Sequence, residues 1–348
     1  MTHEQKSAID TRAIVLEVQG LTVGYVDDDD NVVVLVDSVS FTLREREVLG
    51  IVGESGSGKS VMMLAVLGLL PDPLFVLGGS VRFRGQELVG LSESALRKLR
   101  GKELAMVFQD PMTSLNPVKR VGPQIERALA LHQKLSRKQR RSRVVELLEH
   151  VGVPQAADKS RGYPHEWSGG MRQRAVIAMA MANSAALLVA DEPTTALDVT
   201  IQAQLMDVLA EARSESDGAM VLITHDLGLV AQHADRLAIM YSSRLVETGS
   251  VWDVFDDPKH PYTVGLLRSL LTSATVTTNG RAFAIAGSPP APTARPSGCA
   301  FAPRCDFAGK TALCHEAVPP VVDIGPERSL ACGPVSIQLS RATMEGVR

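Results

Sequence analysis

The stretch Gly53-Glu-Ser-Gly-Ser-Gly-Lys-Ser60 constrains the fold more than any other part of the chain. Gly53, Gly56 and Gly58 open backbone angles closed to other residues, so successive N–H groups can curl around an anion. The spacing meets the phosphate-loop pattern G-x-x-x-x-G-K-[ST] at every fixed position, with Ser55 and Ser57 among the residues between. Such a loop works only between a strand and a helix. Val48 to Val52 reads as a short buried strand, and the apolar run from Ser60 through Leu70 reads as a buried helix. The helix start adds its positive dipole end to the charge of Lys59, and the Ser60 hydroxyl is placed to reach a magnesium ion on the phosphates.

A second motif lies in Leu187-Leu-Val-Ala-Asp-Glu-Pro193. Four apolar residues predict a fully buried strand, and two carboxylates leave its carboxyl end, where open parallel sheets bind ligands. Asp191 is suited to hold magnesium and its waters, and Glu192 to orient or deprotonate the water that attacks a terminal phosphate. Two more strand ends supply polar groups: Gln109, a further candidate magnesium ligand, follows Leu104 to Phe108, and His225 follows Val221 to Thr224. His225 is suited to contact the terminal phosphate or to keep Glu192 and water in line. Ser168, Gly169 and Gly170 precede an apolar helix with no strand before them, which offers backbone donors for a second phosphate. Two phosphate-binding ends on one chain point to composite sites between two chains.

The remaining sequence sets limits. A length of 348 residues allows about two domains, and 45% apolar residues suits a globular enzyme. A net charge of -3 gives no general attraction to nucleic acid. The first 13 residues are polar and lack an apolar signal core, so they are expected to form a disordered tail. The apolar stretch from Met62 to Leu77 is broken by Pro71-Asp-Pro73. The chain is therefore expected to stay in the cytoplasm without spanning a membrane. Residues 14 to 48 alternate like strands, with Asp27 to Asp30 as a solvated hairpin tip. Ser136 and Gln139 form a capping box for a helix whose stripe is Val144, Leu147, Leu148 and Val151, and the basic run Arg137 to Arg143 reads as its solvated face. From Gly287 a proline-rich spacer leads to a tail that holds every cysteine.

Gly53 to Ser60, Gln109, Ser168-Gly169-Gly170, Asp191-Glu192, Ala196-Leu197-Asp198 and His225, in that order, resemble the Walker A, Q-loop, signature, Walker B, D-loop and switch motifs of the ABC ATPase superfamily. The resemblance implies an α/β P-loop NTPase core over residues 14–260, with an antiparallel β-subdomain and a helical subdomain at about 110–170. It implies ATP and Mg2+ as ligands, and Tyr25 as the ring that stacks on adenine. The stretches "FQDPMTSLNP", "SGGMRQR", "HPYT" at 260–263 and "GCAFAPRC" resemble the oligopeptide and dipeptide importer ATPases and extend the likeness into a C-terminal extension, 261–348. This implies a motor subunit on the cytoplasmic face of the cell membrane. Its implied partners are a second ATPase subunit, two transmembrane permeases and, indirectly, an extracytoplasmic solute-binding protein. Met171, after the signature glycines, resembles the first-type ATPase of systems built from two unlike ATPases. Arg46 and Ser243 stand where the family often has glycine. The alternative is a soluble ABC ATPase in iron–sulfur assembly, translation or repair, encouraged only by the cysteines.

Those cysteines, Cys299, Cys305, Cys314 and Cys332, form C-x5-C-x8-C-x17-C. Four thiolates suit tetrahedral zinc or a 4Fe-4S cluster, and the short C-x2-C knuckles common in zinc sites are lacking. Ordinary structural thiols are a third reading. The resemblance favours iron–sulfur, with His315 a bystander. Because the spacer precedes the tail, hydrolysis is expected to be largely independent of the cysteines.

Overall fold

A computed structural model describes residues 12–194, 199–270 and 283–345. In chain order the strands are β1 Ile14–Val26, β2 Val32–Arg44, β3 Val48–Val52, β4 Phe75–Phe83, β5 Gln86–Glu87, β6 Leu104–Val107, β7 Leu187–Asp191, β8 Ala219–Thr224, β9 Arg236–Tyr241, β10 Arg244–Ser250, β11 Val322–Gly325 and β12 Arg328–Leu330. They build two sheets, one ordered β2-β1-β4-β5 and the other β11-β12-β10-β9-β3-β8-β7-β6.

The first sheet is antiparallel, as the alternation of residues 14 to 48 predicts. At its acidic tip the Asp27 carboxylate accepts the N–H groups of Asp29 at 3.0 Å and Asn31 at 2.8 Å, which ties the turn locally and leaves Asp28 to Asp30 exposed. In the second sheet β6, β7, β8, β3 and β9 run parallel, and β3, β7 and β8 are buried along their whole length. That is why these segments read as unbroken apolar runs: both faces are covered. Each large side chain so buried contributes about 1.5–3 kcal/mol. The helix Lys59–Val66 fills the space between the sheets through Met62, Met63 and Val66.

The helices Val121–His132, Arg137–His150 and Gly169–Met181 pack a separate cluster that includes Ile125, Leu129, Leu147, Leu148 and Trp167. Ser136 and Gln139 cap the second of these reciprocally, at 3.3 and 2.9 Å. Arg46 and Ser243 adopt φ of 58° and 75°, so the left-handed backbone that glycine favours is kept here without glycine.

The C-terminal residues do not stand apart from the core. β12 pairs with β10 and carries β11 at its edge, so the tail extends the sheet that contains β3. Phe301 packs against Tyr241 and Tyr262 with ring centroids 5.2 and 5.4 Å apart, and Arg44 pairs with Glu327 at 2.9 Å. Among the described residues no helix is long and apolar enough to cross a membrane.

Candidate functional site

Residues 53–60 leave the buried end of β3 and turn into the helix Lys59–Val66. Gly58 sits at φ 103°, and a Cβ there would lie 2.5 Å from the Leu35 carbonyl oxygen. At Gly53 a Cβ would collide with the Met240 carbonyl, whereas Gly56, at φ 77°, faces open space. Two positions are thus glycine because backbone passes close by, and one because of its dihedral and the room it leaves on the open side. The loop is also tied down from outside: Ser243 donates its N–H to the Ser57 carbonyl at 2.9 Å, and Asp37 donates to Ser243 at 2.8 Å. Ser55 and Gly56 are exposed, and Ser57 is buried.

Lys59 is 6% exposed and donates to the carbonyls of Gly53 at 2.7 Å and Glu54 at 3.0 Å. Burial pushes its ammonium below the ordinary lysine value, against the pull of Glu192, Asp191 and Glu54. Asp191 ends β7. Burial pushes its carboxyl up, while a hydrogen bond from Ser60 and the charge of Lys59 pull it back. Its Oδ1 is buried without a partner among the described residues. An orphaned carboxylate oxygen beside a serine hydroxyl at the foot of a phosphate loop is an oxygen-donor set of the kind Mg2+ takes, so the residues fit that ion.

Glu192 follows at φ 46°. Gln109 donates to its Oε2 at 3.0 Å, and His225 Nδ1 stands 3.4 Å from its Oε1. The structure therefore brings Gln109, Glu192 and His225, from three strand ends, onto one carboxylate that stays 17% exposed. This arrangement can hold a water against Glu192 while Lys59 and the loop hold a phosphate.

The second candidate phosphate end lies elsewhere. Ser168 caps the helix Gly169–Met181 and accepts the Met171 N–H at 3.3 Å, while Ser168 and Gly169 are exposed and Gly170 is partly buried. Tyr25 is half-buried on β1 opposite Val33. Asp198 and most of the first 13 residues lie outside the described residues.

Cys299, Cys305, Cys314 and Cys332 line one small cavity with His260, Phe301 and Phe307. Burial pushes the Cys299 and Cys305 thiols up and Cys332 to about 11. Among the described residues no group of three or more His, Cys, Asp or Glu is placed to hold a metal ion. Next to Cys305, Arg304 pairs with both oxygens of Glu54 at 3.0 and 2.9 Å. The tail thus touches the phosphate loop itself: the spacer separates the two in sequence and not in space. Sequence reasoning missed Glu54, Tyr262 and Arg304 as site residues. The only signal was that Tyr262 lies in HPYT and Arg304 in the cysteine-bearing stretch.

Residues 36–195 match the family model "ABC transporter", and residues 246–314 match "Oligopeptide/dipeptide transporter, C-terminal region". A peptide import ATP-binding protein of Brucella abortus (strain 2308) is 48% identical over 92% of this chain and 95% of its own length. Another, of Brucella ovis, is 45% identical over 92% and 97%. Among solved structures, a dimeric post-hydrolysis state of an ATP-binding cassette bound to ADP and Pi matches with a TM-score of 0.62 and 25% identity, covering 68% of this chain and 98% of that one.

Proposed function

The chain belongs to the ABC transporter family, in its oligopeptide/dipeptide branch, and we propose that it is the ATP-hydrolysing motor subunit of a peptide importer. The observation that carries the reading is the convergence of Gln109 and His225 on the Glu192 carboxylate beside a complete phosphate loop. In this mechanism the N–H groups of residues 53–60 and the Lys59 ammonium bind the phosphates of ATP, with Tyr25 against the adenine. Glu192, held on one oxygen by Gln109 and approached on the other by His225, orients the attacking water and takes its proton. Ser60, Asp191 and Gln109 would hold Mg2+, which when bound neutralises phosphate charge. Ser168, Gly169, Gly170 and Asp198 serve the loop of a second ATPase subunit, and Met171 favours a partner unlike this chain. Residues 14–260 form the motor unit and 261–348 the extension.

The partners are two transmembrane permeases, met from the cytoplasmic face, and a solute-binding protein beyond them. The four cysteines, Cys299, Cys305, Cys314 and Cys332, would hold a 4Fe-4S cluster. Their shared cavity is what supports this reading. Reconstitution with both permeases and the second ATPase tests the function: peptide uptake into vesicles should require ATP and stop with Glu192→Gln. Uptake that continues with that variant overturns the motor assignment.

A further inference from the structure

Glu54 is the second residue of the phosphate loop, and each of its polar groups has a partner. Its N–H donates to the Tyr262 hydroxyl at 3.1 Å. Its carbonyl accepts from Lys59 Nζ at 3.0 Å. Its carboxylate accepts from Arg304 Nη1 at 3.0 and 2.9 Å. Tyr262 and Arg304 both lie C-terminal to the core motifs, and neither is a surface group: Tyr262 is fully buried and the Arg304 side chain is 7% exposed. Arg304 is itself held, donating from Nε to the Ala286 carbonyl at 2.9 Å and from Nη1 to the Tyr241 hydroxyl at 3.2 Å.

The geometry has a definite consequence for Lys59. The Glu54 N–H and the Gly53 carbonyl belong to one planar trans peptide and point in opposite directions. Once Tyr262 accepts the N–H, the Gly53 carbonyl is turned toward Lys59 Nζ, where it accepts at 2.7 Å. The same contact keeps this N–H out of the anion-binding set and so fixes which amides of the loop face a phosphate. Arg304 acts on charge. An unpaired Glu54 carboxylate beside a triphosphate would repel it, and the Arg304 guanidinium, whose Nη1 reaches both carboxylate oxygens, offsets that charge.

We propose that Tyr262 and Arg304 are positioning residues for the phosphate loop, through which the C-terminal segment sets the ATP affinity of the site in its own chain. The proposal rests on the reading that residues 53–60 hold the phosphates of ATP. Arg304 adjoins Cys305 and shares the packing of Phe301, so the segment that lines the cysteine cavity is also the segment that clamps the loop.

The test measures ATP affinity and saturating hydrolysis on the assembled complex, with melting temperature recorded for each variant. Arg304→Met should weaken ATP binding about 10-fold, Arg304→Lys about 3-fold and Tyr262→Phe about 3-fold, while kcat changes less than about 2-fold. Melting should stay close to that of the parent for Arg304→Lys and Tyr262→Phe, which alter the fewest atoms. The decisive arm is a double-mutant cycle: in a Glu54→Gln background, Arg304→Met should cost less than about 2-fold further, because its effect runs through the carboxylate. Full additivity in that cycle, or unchanged affinity in Arg304→Met and Tyr262→Phe, overturns the proposal. Lys59→Ala serves as the separate control. If it leaves ATP binding intact, the phosphate-loop reading itself fails; if it abolishes binding while the Arg304 and Tyr262 variants bind normally, only the clamp fails.

Discussion

The loop at 53–60 and the helix start at 168–170, the two ends proposed to meet phosphate, differ in their surroundings. The loop is enclosed by its own chain: Leu35 and Met240 crowd its glycines, Ser243 holds Ser57, and Tyr262 and Arg304 hold Glu54. Ser168 and Gly169 are exposed, their local bonds stay within the helix cap, and a Cβ on Gly169 would meet nothing within 4 Å. A finished surface and a bare one on the same subunit are what a composite site requires. The enclosed end brings Lys59 and Glu192 together, and in the proposed composite site the open end receives a loop from another chain.

The largest expected effect tests the finished end. Glu192→Gln should lower hydrolysis by the assembled complex about 100-fold or more while ATP still binds, since the amide keeps the shape but takes no proton. Turnover near that of the parent would remove Glu192 as the base.

Next is the open end. Gly169→Val has room and should leave the melting temperature and ATP binding of the isolated subunit unchanged, yet lower hydrolysis by the complex about 10-fold by blocking the partner's loop. Equal hydrolysis by the isolated chain and by the complex would end the contrast between the two surfaces.

The matching change at the enclosed end acts on stability. Gly53→Ala should destabilise the fold by about 1–3 kcal/mol, since the added methyl collides with the Met240 backbone, which cannot rotate away. Denaturant midpoints that are the same for Gly53→Ala and Gly169→Ala would show that the two glycines are not constrained differently.

An effect seen only as pH falls concerns the tail side of the clamp. His260 is fully buried, packs near Phe301, and accepts the Tyr262 N–H on Nδ1 at 3.0 Å; burial pushes its pKa down to about 3. The unfolded chain, with a histidine near 6.5, binds more protons between those values, so stability falls as pH drops through that window, by at most about 1.4 kcal/mol per pH unit. His260→Asn, which can still cap the helix Pro261–Arg268, should flatten that part of the pH–stability curve. An unchanged slope between pH 6.5 and 5 would show that His260 is not the group responsible.

Much of the core was legible because its constraints are local. A phosphate loop needs glycines at set intervals, and strands buried on both faces must be apolar throughout, so β3, β7 and β8 and the loop after β3 can be read in order. The capping box at Ser136 is likewise written within four residues. The hairpin tip at Asp27 is legible for the same reason, since its hydrogen bonds span four positions at most.

The sequence by itself determined the family and pointed to the candidate catalytic groups: Lys59, Asp191, Glu192, Gln109 and His225 each follow a recognisable strand or loop, so residue type and spacing single them out. It did not determine that two of these groups meet on one carboxylate, that β11 and β12 join the same sheet as the phosphate loop, or that Arg304 reaches across 250 positions to Glu54. Those contacts join segments far apart in the chain, and no local periodicity records them. They exist because the sheet order places the end of β3 beside β9, with β10 and β12 following, and the tail that packs there brings its own charge to the loop.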